Sequence, residues 1–216
     1  MKHWQIFLDF DSTLVRVETL DLLAHRKGIG PEVERITRAT MDGNMKMEDG
    51  FLRKVALIAP HTNEISAIAQ ELPSLLLADA EEVVGTLHAQ GHELWILTGN
   101  FHQLVDPLAR QLGIPPTRIL ANDLQFHPDG SYQGVVPSAL CQSDGKVIAI
   151  KPYLNGAPSI MVGDSAGDMA CKEVVDMFVG FGGVVCRPIV KKNADMFIET
   201  ESLKPLLAII SSAQFF

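Results

Sequence analysis

Three short apolar runs divide this chain, and each of them ends in small or acidic residues. The runs cover positions 4–10, 93–97 and 159–162, and helix-like segments lie between them. Continuous apolar runs of this length are typical of strands buried on both faces, as in a parallel sheet between layers of helices. The pattern predicts an α/β fold in which functional residues follow the carboxyl ends of the strands.

Residues 16–77, which follow the first run, differ from the rest of the chain. They are rich in helix formers and carry no strand-like pattern. Turn-forming residues interrupt them at 28–31, 42–44 and 59–60. We therefore expect a helical cap domain at 16–77, inserted after the first strand and lying over its end, and a core formed by 1–15 and 78–216.

Two further patterns lie between the second and third runs. Residues 103–112 have the pattern of a helix. Residues 124–136 alternate around Pro128-Asp129-Gly130, and such alternation around turn-forming residues predicts a β-hairpin.

Charge and composition exclude several classes of protein. The 216 residues carry 18 Lys and Arg against 26 Asp and Glu, and this net charge of −8 argues against nucleic-acid binding, which needs clustered cations. No run approaches the roughly 18 apolar residues of a membrane span, so we expect no membrane partner. Three cysteines, Cys141, Cys171 and Cys186, are too scattered for a disulfide framework or a zinc cluster. With an N-terminus that enters the first run directly, this composition predicts a cytoplasmic protein.

Acidic pairs follow the first and third runs. Asp9 and Asp11 are two residues apart, so on an extended chain both carboxylates point to the same side. One of them could simply cap a helix, but that role leaves an acid inside an apolar run unexplained. Asp164 and Asp168 follow the third run, where a Gly-rich turn with a helix cap is the alternative. Because parallel strands end at the same edge of a sheet, the two pairs predict an oxygen-rich site suited to Mg²⁺.

A hydroxyl and a cation complete the candidate site. Thr98-Gly99-Asn100 follows the second run, where a hydroxyl and backbone N–H groups can hold phosphate oxygens, although the same triplet is also an ordinary turn. Lys146 could stabilise a transferring phosphoryl group or be a solvated turn residue, and Lys151 competes for the same role.

The order of these residues resembles the haloacid dehalogenase superfamily in its phosphatase branch, whose motifs are Asp-x-Asp-x-Thr, a Ser or Thr, a Lys, and Gly-Asp-x-x-x-Asp. Within that superfamily the chain is most similar to the phosphoserine phosphatases, over nearly its whole length. The similar segments are 10–15, 18–19, 36–37, 41–43, 121–122, 186–189 and 194–195. The resemblance implies a Rossmann-like three-layer core with a small helical cap inserted after the first strand, in agreement with the helical segment described above.

The resemblance also implies the mechanism of a Mg²⁺-dependent phosphomonoester hydrolase. Asp9 would attack phosphorus to form an aspartyl-phosphate, and Asp11 would act first as an acid and then as a base. Mg²⁺ would be bound by the Asp9 carboxylate, the Asp11 backbone carbonyl and Asp164. Asp168 would bind the metal through water or orient Lys146.

Phosphate binding is implied for the second and third motifs. Thr98 and Lys146 would hold the phosphoryl oxygens. Gly99-Asn100 stands where the family often has Gly-Gly.

The cap residues that choose the substrate match the phosphoserine phosphatases only in part. A cap Glu of that family receives the substrate's amino group, and Glu18 matches it. The family's cap Arg, which holds the substrate carboxylate, aligns with Lys54; Arg53 is adjacent, but neighbouring helical residues point about 100° apart. The family's cap aromatic aligns with Met47.

We therefore expect a small phosphomonoester as the substrate, with hydrolysis of O-phosphoserine to serine and phosphate as the first candidate. The alternatives are a phosphatase or phosphotransferase for another amino-alcohol or sugar phosphate, and a non-catalytic regulatory protein on the same fold. We expect a monomer or a homodimer. His102 is the one histidine to inspect for substrate contact, and residues 187–192 are predicted to form a solvated loop.

Overall fold

The computed structural model describes residues 3–213 of the chain. Its strands are β1 (Gln5–Leu8), β2 (Glu93–Phe101), β3 (Ile119–Asn122), β4 (Leu124–Phe126), β5 (Tyr132–Val135), β6 (Ser159–Gly163), β7 (Met177–Phe181) and β8 (Met196–Ile198). Six of them form a parallel sheet in the order β3-β2-β1-β6-β7-β8. The other two, β4 and β5, form the predicted antiparallel hairpin.

The helices alternate with the strands after an initial group of four. They are α1 (Thr19–Arg26), α2 (Gly30–Met41), α3 (Met47–Ile58), α4 (Thr62–Leu75), α5 (Ala80–Ala89), α6 (His102–Gln111), α7 (Gly145–Ile150), α8 (Ala166–Ala170), α9 (Pro188–Asn193) and α10 (Lys204–Ala213). Short 3-10 turns lie at Pro116–Arg118, Ala139–Cys141, Lys151–Tyr153 and Cys171–Glu173. The first four helices lie within 16–77 and are separated at the three predicted breaks, while the division into domains stays a prediction.

Apolar side chains cover both faces of the sheet, as alternation along β1 illustrates. Ile6 and Leu8 point into one core together with apolar residues of α5, α6 and α10, whereas Phe7 points into a second core with residues of α7 and α9. Successive strand residues face opposite sides, so a strand buried on both faces must be apolar throughout. The three-layer α/β fold is thereby confirmed.

The order of the strands reverses at β1, which lies between β2 and β6 in the middle of the sheet. Leu8 pairs with Ile96 on one side and with Val162 on the other, so these three strands reach the same edge together. Ligands of open parallel sheets bind in the crevice at such a reversal. The residues that follow these three strands therefore face one common site.

Strand β2 is longer than its sequence predicts. It continues through Thr98-Gly99-Asn100 to Phe101, which pairs with Asn122 of β3 after an irregular register. The triplet is thus part of the strand rather than a turn after it, and the reason is a long-range partner that local sequence does not report.

The two connections between the helical segment and the core lie side by side. Val15 and Leu76 form an isolated antiparallel bridge. Arg16 N–H donates to Leu75 O at 2.8 Å, and Leu77 N–H donates to Leu14 O at 2.9 Å. Two antiparallel chain segments therefore connect α1–α4 to the sheet.

The hairpin touches the far end of the same segment. Thr62 N–H donates to Gly130 O at 3.0 Å, and His61 Nε2 lies 3.0 Å from Asp129 O. Gly130 has a φ of +86°, a left-handed conformation that favours glycine at the tip of this turn. The hairpin supports the start of α4.

Among the helices in residues 3–213, each is too short or too polar to cross a membrane.

The cysteines differ in access to solvent, which predicts their reactivity. Cys141 and Cys171 are buried and Cys186 is exposed. Burial, and next the Asp168 carboxylate, raise the pKa of the Cys171 thiol to about 12, which suppresses the reactive thiolate. We expect a disulfide reagent to titrate Cys186 rapidly in the native protein and the other two only after denaturation. Rapid native labelling of Cys171 would contradict the packing described here.

Candidate active site

Asp9 lies directly after β1, at the floor of a cavity of about 230 Å³. Its backbone N–H donates to Val162 O at 2.9 Å, which fixes it beside β6. Lys146 Nζ lies 2.8 Å from Asp9 Oδ1 and 2.5 Å from Asp168 Oδ1. The ammonium group can therefore neutralise Asp9 and reach an anion bound next to it.

The position of Lys146 distinguishes it from Lys151, the other candidate for binding the phosphoryl group. It is the second residue of α7, and the helix directs its side chain into the cavity. Burial lowers the pKa of Lys146, but the carboxylates of Asp168 and Asp9 outweigh burial and raise it above the usual range, so the side chain stays charged. Lys151 begins the next 3-10 turn and is exposed to solvent. The structure brings Lys146, not Lys151, to Asp9.

A tight turn after β1 brings Asp11 back into the same cavity. Leu14 N–H and Val15 N–H both donate to Phe10 O, at 2.9 and 3.1 Å. Ser12 takes a φ of 55°, a left-handed conformation that costs a non-glycine residue about 1–2 kcal/mol. This strain at the turn is consistent with a functional constraint.

Asp11 is held by one oxygen and free at the other. Its Oδ2 accepts hydrogen bonds from Thr19 Oγ1 at 3.1 Å and from Asn100 Nδ2 at 3.0 Å. Its Oδ1 is buried without a hydrogen-bond partner. Burial, and next the carboxylates of Glu18 and Asp9, raise the pKa of Asp11 well above its usual range. A carboxyl group with a raised pKa and one oxygen free is suited to donate a proton to a bound ligand.

Asp168 is oriented by hydrogen bonds on both oxygens. Ser165 N–H and Ser165 Oγ donate to Asp168 Oδ2 at 2.9 and 2.6 Å, which closes a capping box at α8, while Lys146 donates to Oδ1. Gly163 leaves room for this carboxylate, because a Cβ there would lie 2.3 Å from Asp168 Cγ. Asp168 thus has the contacts of a group that orients Lys146.

Three buried carboxylates could hold a cation. Ligand atoms of Asp9, Asp164 and Asp168 lie within 4.8 Å of one another. Burial and the Asp168 carboxylate raise the pKa of Asp9 to about 7, and burial followed by Glu18 raises that of Asp164 well above its usual value. These acids resist ionising together without a cation between them, and an all-oxygen donor set suits a hard ion such as Mg²⁺. The residues present therefore fit a divalent metal.

The second motif lies beside α3. Thr98 Oγ1 accepts a hydrogen bond from Asn100 N–H at 3.1 Å, and both residues line the cavity. Gly99 carries no side chain there, and a Cβ would lie 3.0 Å from Met47 Cε, which reaches down from α3. Asn122 Nδ2 donates to Gly99 O at 2.8 Å and steadies this backbone. Thr98, Gly99, Asn100 and Met47 therefore border one space.

A buried network of hydrogen bonds in the helical segment places a second cation, Lys54, beside the cavity. Lys54 lines the cavity and is 5% exposed. Its Nζ donates to Thr37 Oγ1 at 3.1 Å, and Thr37 Oγ1 donates to Asp21 Oδ1 at 2.5 Å. Glu18 also lines the cavity and accepts a hydrogen bond from Ser12 Oγ at 2.9 Å. The roof thus carries one cation and one carboxylate.

Two side chains singled out in the sequence lie outside the cavity. Arg53 points to solvent, 4.0 Å from Glu32, because it is one position away from the buried face of α3 that carries Lys54. His102 Nδ1 lies 2.8 Å from Asp106 Oδ1 on the outer side of α6. Neither is placed to contact a ligand of this site.

The prediction of a solvated loop at 187–192 is wrong in its secondary structure and in the exposure of Arg187, although most of the segment is exposed to solvent. Residues Pro188–Asn193 form α9, and Arg187 just before it is buried. Its guanidinium contacts Asp164, Asp42 and Glu18. The charge-rich local sequence suggested exposure, whereas three distant carboxylates draw the side chain inward.

These features agree with a comparison of the whole chain with known families. Residues 6–173 match the haloacid dehalogenase-like hydrolase family, and the chain belongs to that family.

Several relatives of this chain are named phosphoserine phosphatases. The phosphoserine phosphatase of Mus musculus is 34% identical over 197 residues, which are 89% of this chain and 88% of the mouse enzyme. Among solved structures, a phosphoserine phosphohydrolase-like protein from Francisella tularensis superposes with a TM-score of 0.87 at 26% identity, covering 97% of this chain and all of that one. A phospho-aspartyl intermediate analogue of phosphoserine phosphatase gives 0.86 at 27% identity, covering 97% and 99% of the two chains.

Proposed function

We propose that this chain is a Mg²⁺-dependent phosphomonoester hydrolase that converts O-phosphoserine to serine and phosphate through an aspartyl-phosphate. The observation that carries the proposal is the contrast between two carboxyl groups in one cavity. Asp9 is paired with a cation, Lys146, as suits a nucleophile, whereas Asp11 accepts hydrogen bonds only from neutral groups and keeps one buried oxygen free, as suits an acid. Relatives named phosphoserine phosphatases support the same activity.

In the first step a carboxylate oxygen of Asp9 attacks phosphorus, and the bond from phosphorus to the ester oxygen breaks. Asp11 gives its proton to the leaving alkoxide, which departs as an alcohol. Lys146 and Thr98 hold the phosphoryl oxygens in position. The product of this step is an aspartyl-phosphate on Asp9 and an ionised Asp11.

In the second step Asp11 takes a proton from water, and the water oxygen attacks the phosphorus of the aspartyl-phosphate. The bond from phosphorus to Asp9 breaks, which releases phosphate and restores both carboxyl groups. When Mg²⁺ is bound by Asp9 and Asp164, with the Asp11 carbonyl as a further predicted ligand, it supplies positive charge to the phosphoryl oxygens. Asp168 acts by orienting Lys146.

The roof of the cavity supports an amino acid as the leaving group. Glu18 offers a carboxylate for an ammonium group, and Lys54 offers an ammonium for a carboxylate. A cavity of about 230 Å³ suits a metabolite of few atoms. Lys54 and Met47 stand where the phosphoserine phosphatases carry an Arg and an aromatic residue. That difference favours one alternative, a phosphatase for another small amino-alcohol phosphate.

A panel of substrates, assayed with the parent enzyme and with Lys54→Met, tests the choice between phosphoserine and another amino-alcohol phosphate. With Mg²⁺, we expect O-phosphoserine to be hydrolysed with a higher kcat/KM than phosphoethanolamine, which lacks the carboxylate, or a sugar phosphate. Lys54→Met should reduce kcat/KM for phosphoserine roughly 10- to 100-fold, since it removes a charged hydrogen bond, and should change phosphoethanolamine much less. The ratio between the two substrates is the readout, because Lys54 also acts on the charge of Asp11.

Arg53→Met is the matched control for that variant. It removes a cation from the same helix, but its side chain is exposed and outside the cavity. We expect its kcat/KM to stay close to that of the parent enzyme with both substrates. Equal hydrolysis of phosphoserine and unrelated monoesters by the parent enzyme would overturn phosphoserine as the substrate and leave the hydrolytic mechanism standing.

We also propose a cytoplasmic location. The three cysteines are free thiols, which suits a reducing compartment.

A further inference from the structure

Arg187 contacts three carboxylates that the proposed chemistry does not otherwise connect. Its Nε donates to Asp164 Oδ2 at 3.1 Å, and its Nη1 donates to Asp42 Oδ1 at 2.9 Å. Its Nη2 lies 3.7 Å from Glu18 Oε1. Each nitrogen therefore faces a different partner, an arrangement that needs the planar fork of Arg and that the point charge of Lys cannot reproduce.

The three carboxylates come from two different parts of the fold. Asp164 follows β6 in the sheet, whereas Glu18 precedes α1 and Asp42 follows α2 in the helical segment. The contact with Asp42 is thus made across the boundary between the helices and the core, next to the cavity.

A second contact shows that the turn after α2 packs on the core. Gly43 follows Asp42 with a φ of +76°, and a Cβ in its place would lie 3.4 Å from Ala166 Cβ at the start of α8.

The burial of each partner determines how strongly its removal should disturb the structure. The side chain of Arg187 is 6% exposed and that of Asp164 is 2% exposed, but that of Asp42 is 31% exposed. Removing Arg187 leaves buried carboxylates unpaired, which should strongly destabilise the folded protein. Removing Asp42 leaves Arg187 on Asp164, so its effect falls on the turn alone.

We propose that Arg187 is a positioning residue that fastens the helical segment over the cavity. It holds Oδ2 of Asp164 and, through the same guanidinium, the turn after α2. Arg187 would thus contribute both to closure of the helical segment over the cavity and to the position of the Asp164 carboxylate. The contact itself can be measured without substrate, and only its effect on turnover rests on the proposed function.

Hydrogen–deuterium exchange on Asp42→Ala tests the fastening. The amides of Asn44 and Met45 report on the turn, since both donate to Ala39 O, at 2.8 and 2.9 Å. We expect exchange there to become about two- to tenfold faster, as the loss of a partly exposed ion pair allows. KM for the monoester should rise while kcat falls less, because the cap opens more often but the reacting groups are intact.

Asp49→Ala is the matched control. Asp49 is an exposed carboxylate in the first turn of α3, on the same helical segment. The control should exchange and turn over like the parent enzyme. If Asp42→Ala matches the control in both measurements, the fastening is wrong. Faster exchange without phosphatase activity in any form of the protein would keep the fastening and overturn the proposed function instead.

Arg187→Lys provides an independent second variant. It keeps the positive charge but cannot serve three partners, so exchange at Asn44 and Met45 should again accelerate. Acceleration in Arg187→Lys without any in Asp42→Ala would show that the turn does not depend on the contact between Arg187 and Asp42, and would overturn the proposed fastening.

Discussion

Asp9→Asn is expected to abolish phosphate release, with kcat reduced by roughly 10,000-fold or more, as for loss of a covalent nucleophile. The amide of Asn has almost the shape of the carboxylate but cannot attack phosphorus. Steady-state phosphate release measures the loss, and intact-protein mass spectrometry should find no phosphorylated enzyme.

The fold of this variant should survive, which makes the experiment clean. Burial and the Asp168 carboxylate raise the pKa of Asp9 to about 7, so the folded state binds the proton more tightly than the unfolded chain does. Metal-free stability therefore falls as pH rises from about 4 to 7, and a neutral Asn removes that cost. We expect a melting temperature at pH 7.5 no lower than that of the parent. Substantial phosphatase activity in a folded Asp9→Asn would disprove the covalent mechanism.

Asp11→Asn should stop the cycle at a different point. The second step needs a base, so kcat is expected to fall about 100- to 10,000-fold. With p-nitrophenyl phosphate, whose leaving group needs no proton, Asp9 should still be phosphorylated and the intermediate should accumulate. Mass spectrometry should then find an enzyme about 80 Da heavier, the mass of one phosphoryl group.

The double variant Asp9→Asn, Asp11→Asn is the control, because it lacks the residue that carries the phosphoryl group. It should show no added mass. An Asp11→Asn enzyme that turns over phosphoserine as fast as the parent would remove Asp11 from the proton transfers. Slow turnover without any accumulated intermediate would place its contribution in the first step only.

Much of this site could be predicted because its residues follow strands that the sequence marks clearly. An acid at the end of a buried apolar run, as at Asp9 and Asp164, has few structural explanations, and the topology of a parallel sheet brings such ends together. Local sequence does not show whether Lys146 binds phosphate, since a Lys after a turn is usually solvated. Only the geometry separates it from Lys151.

The remainder depends on long-range contacts that local patterns do not encode. Thr19 orients Asp11, yet apart from the similarity of 18–19 to the phosphoserine phosphatases nothing in the sequence marks it as part of the site. Arg187 stands in a charged stretch that is typical of a surface, and this local sequence predicts no role for it in the site. Which of Arg53 and Lys54 faces inward is a question of helix rotation, which tertiary packing decides.

The paired entry and exit of the helical segment at Val15 and Leu76 make that segment exchangeable. Because the chain leaves and rejoins the sheet at one point, a different insertion could be joined there without changing the order of the strands. Asp9, Thr98, Lys146 and Asp164 all lie outside the exchanged part. Such a chimera would keep the apparatus for breaking a phosphate ester and acquire another choice of molecule.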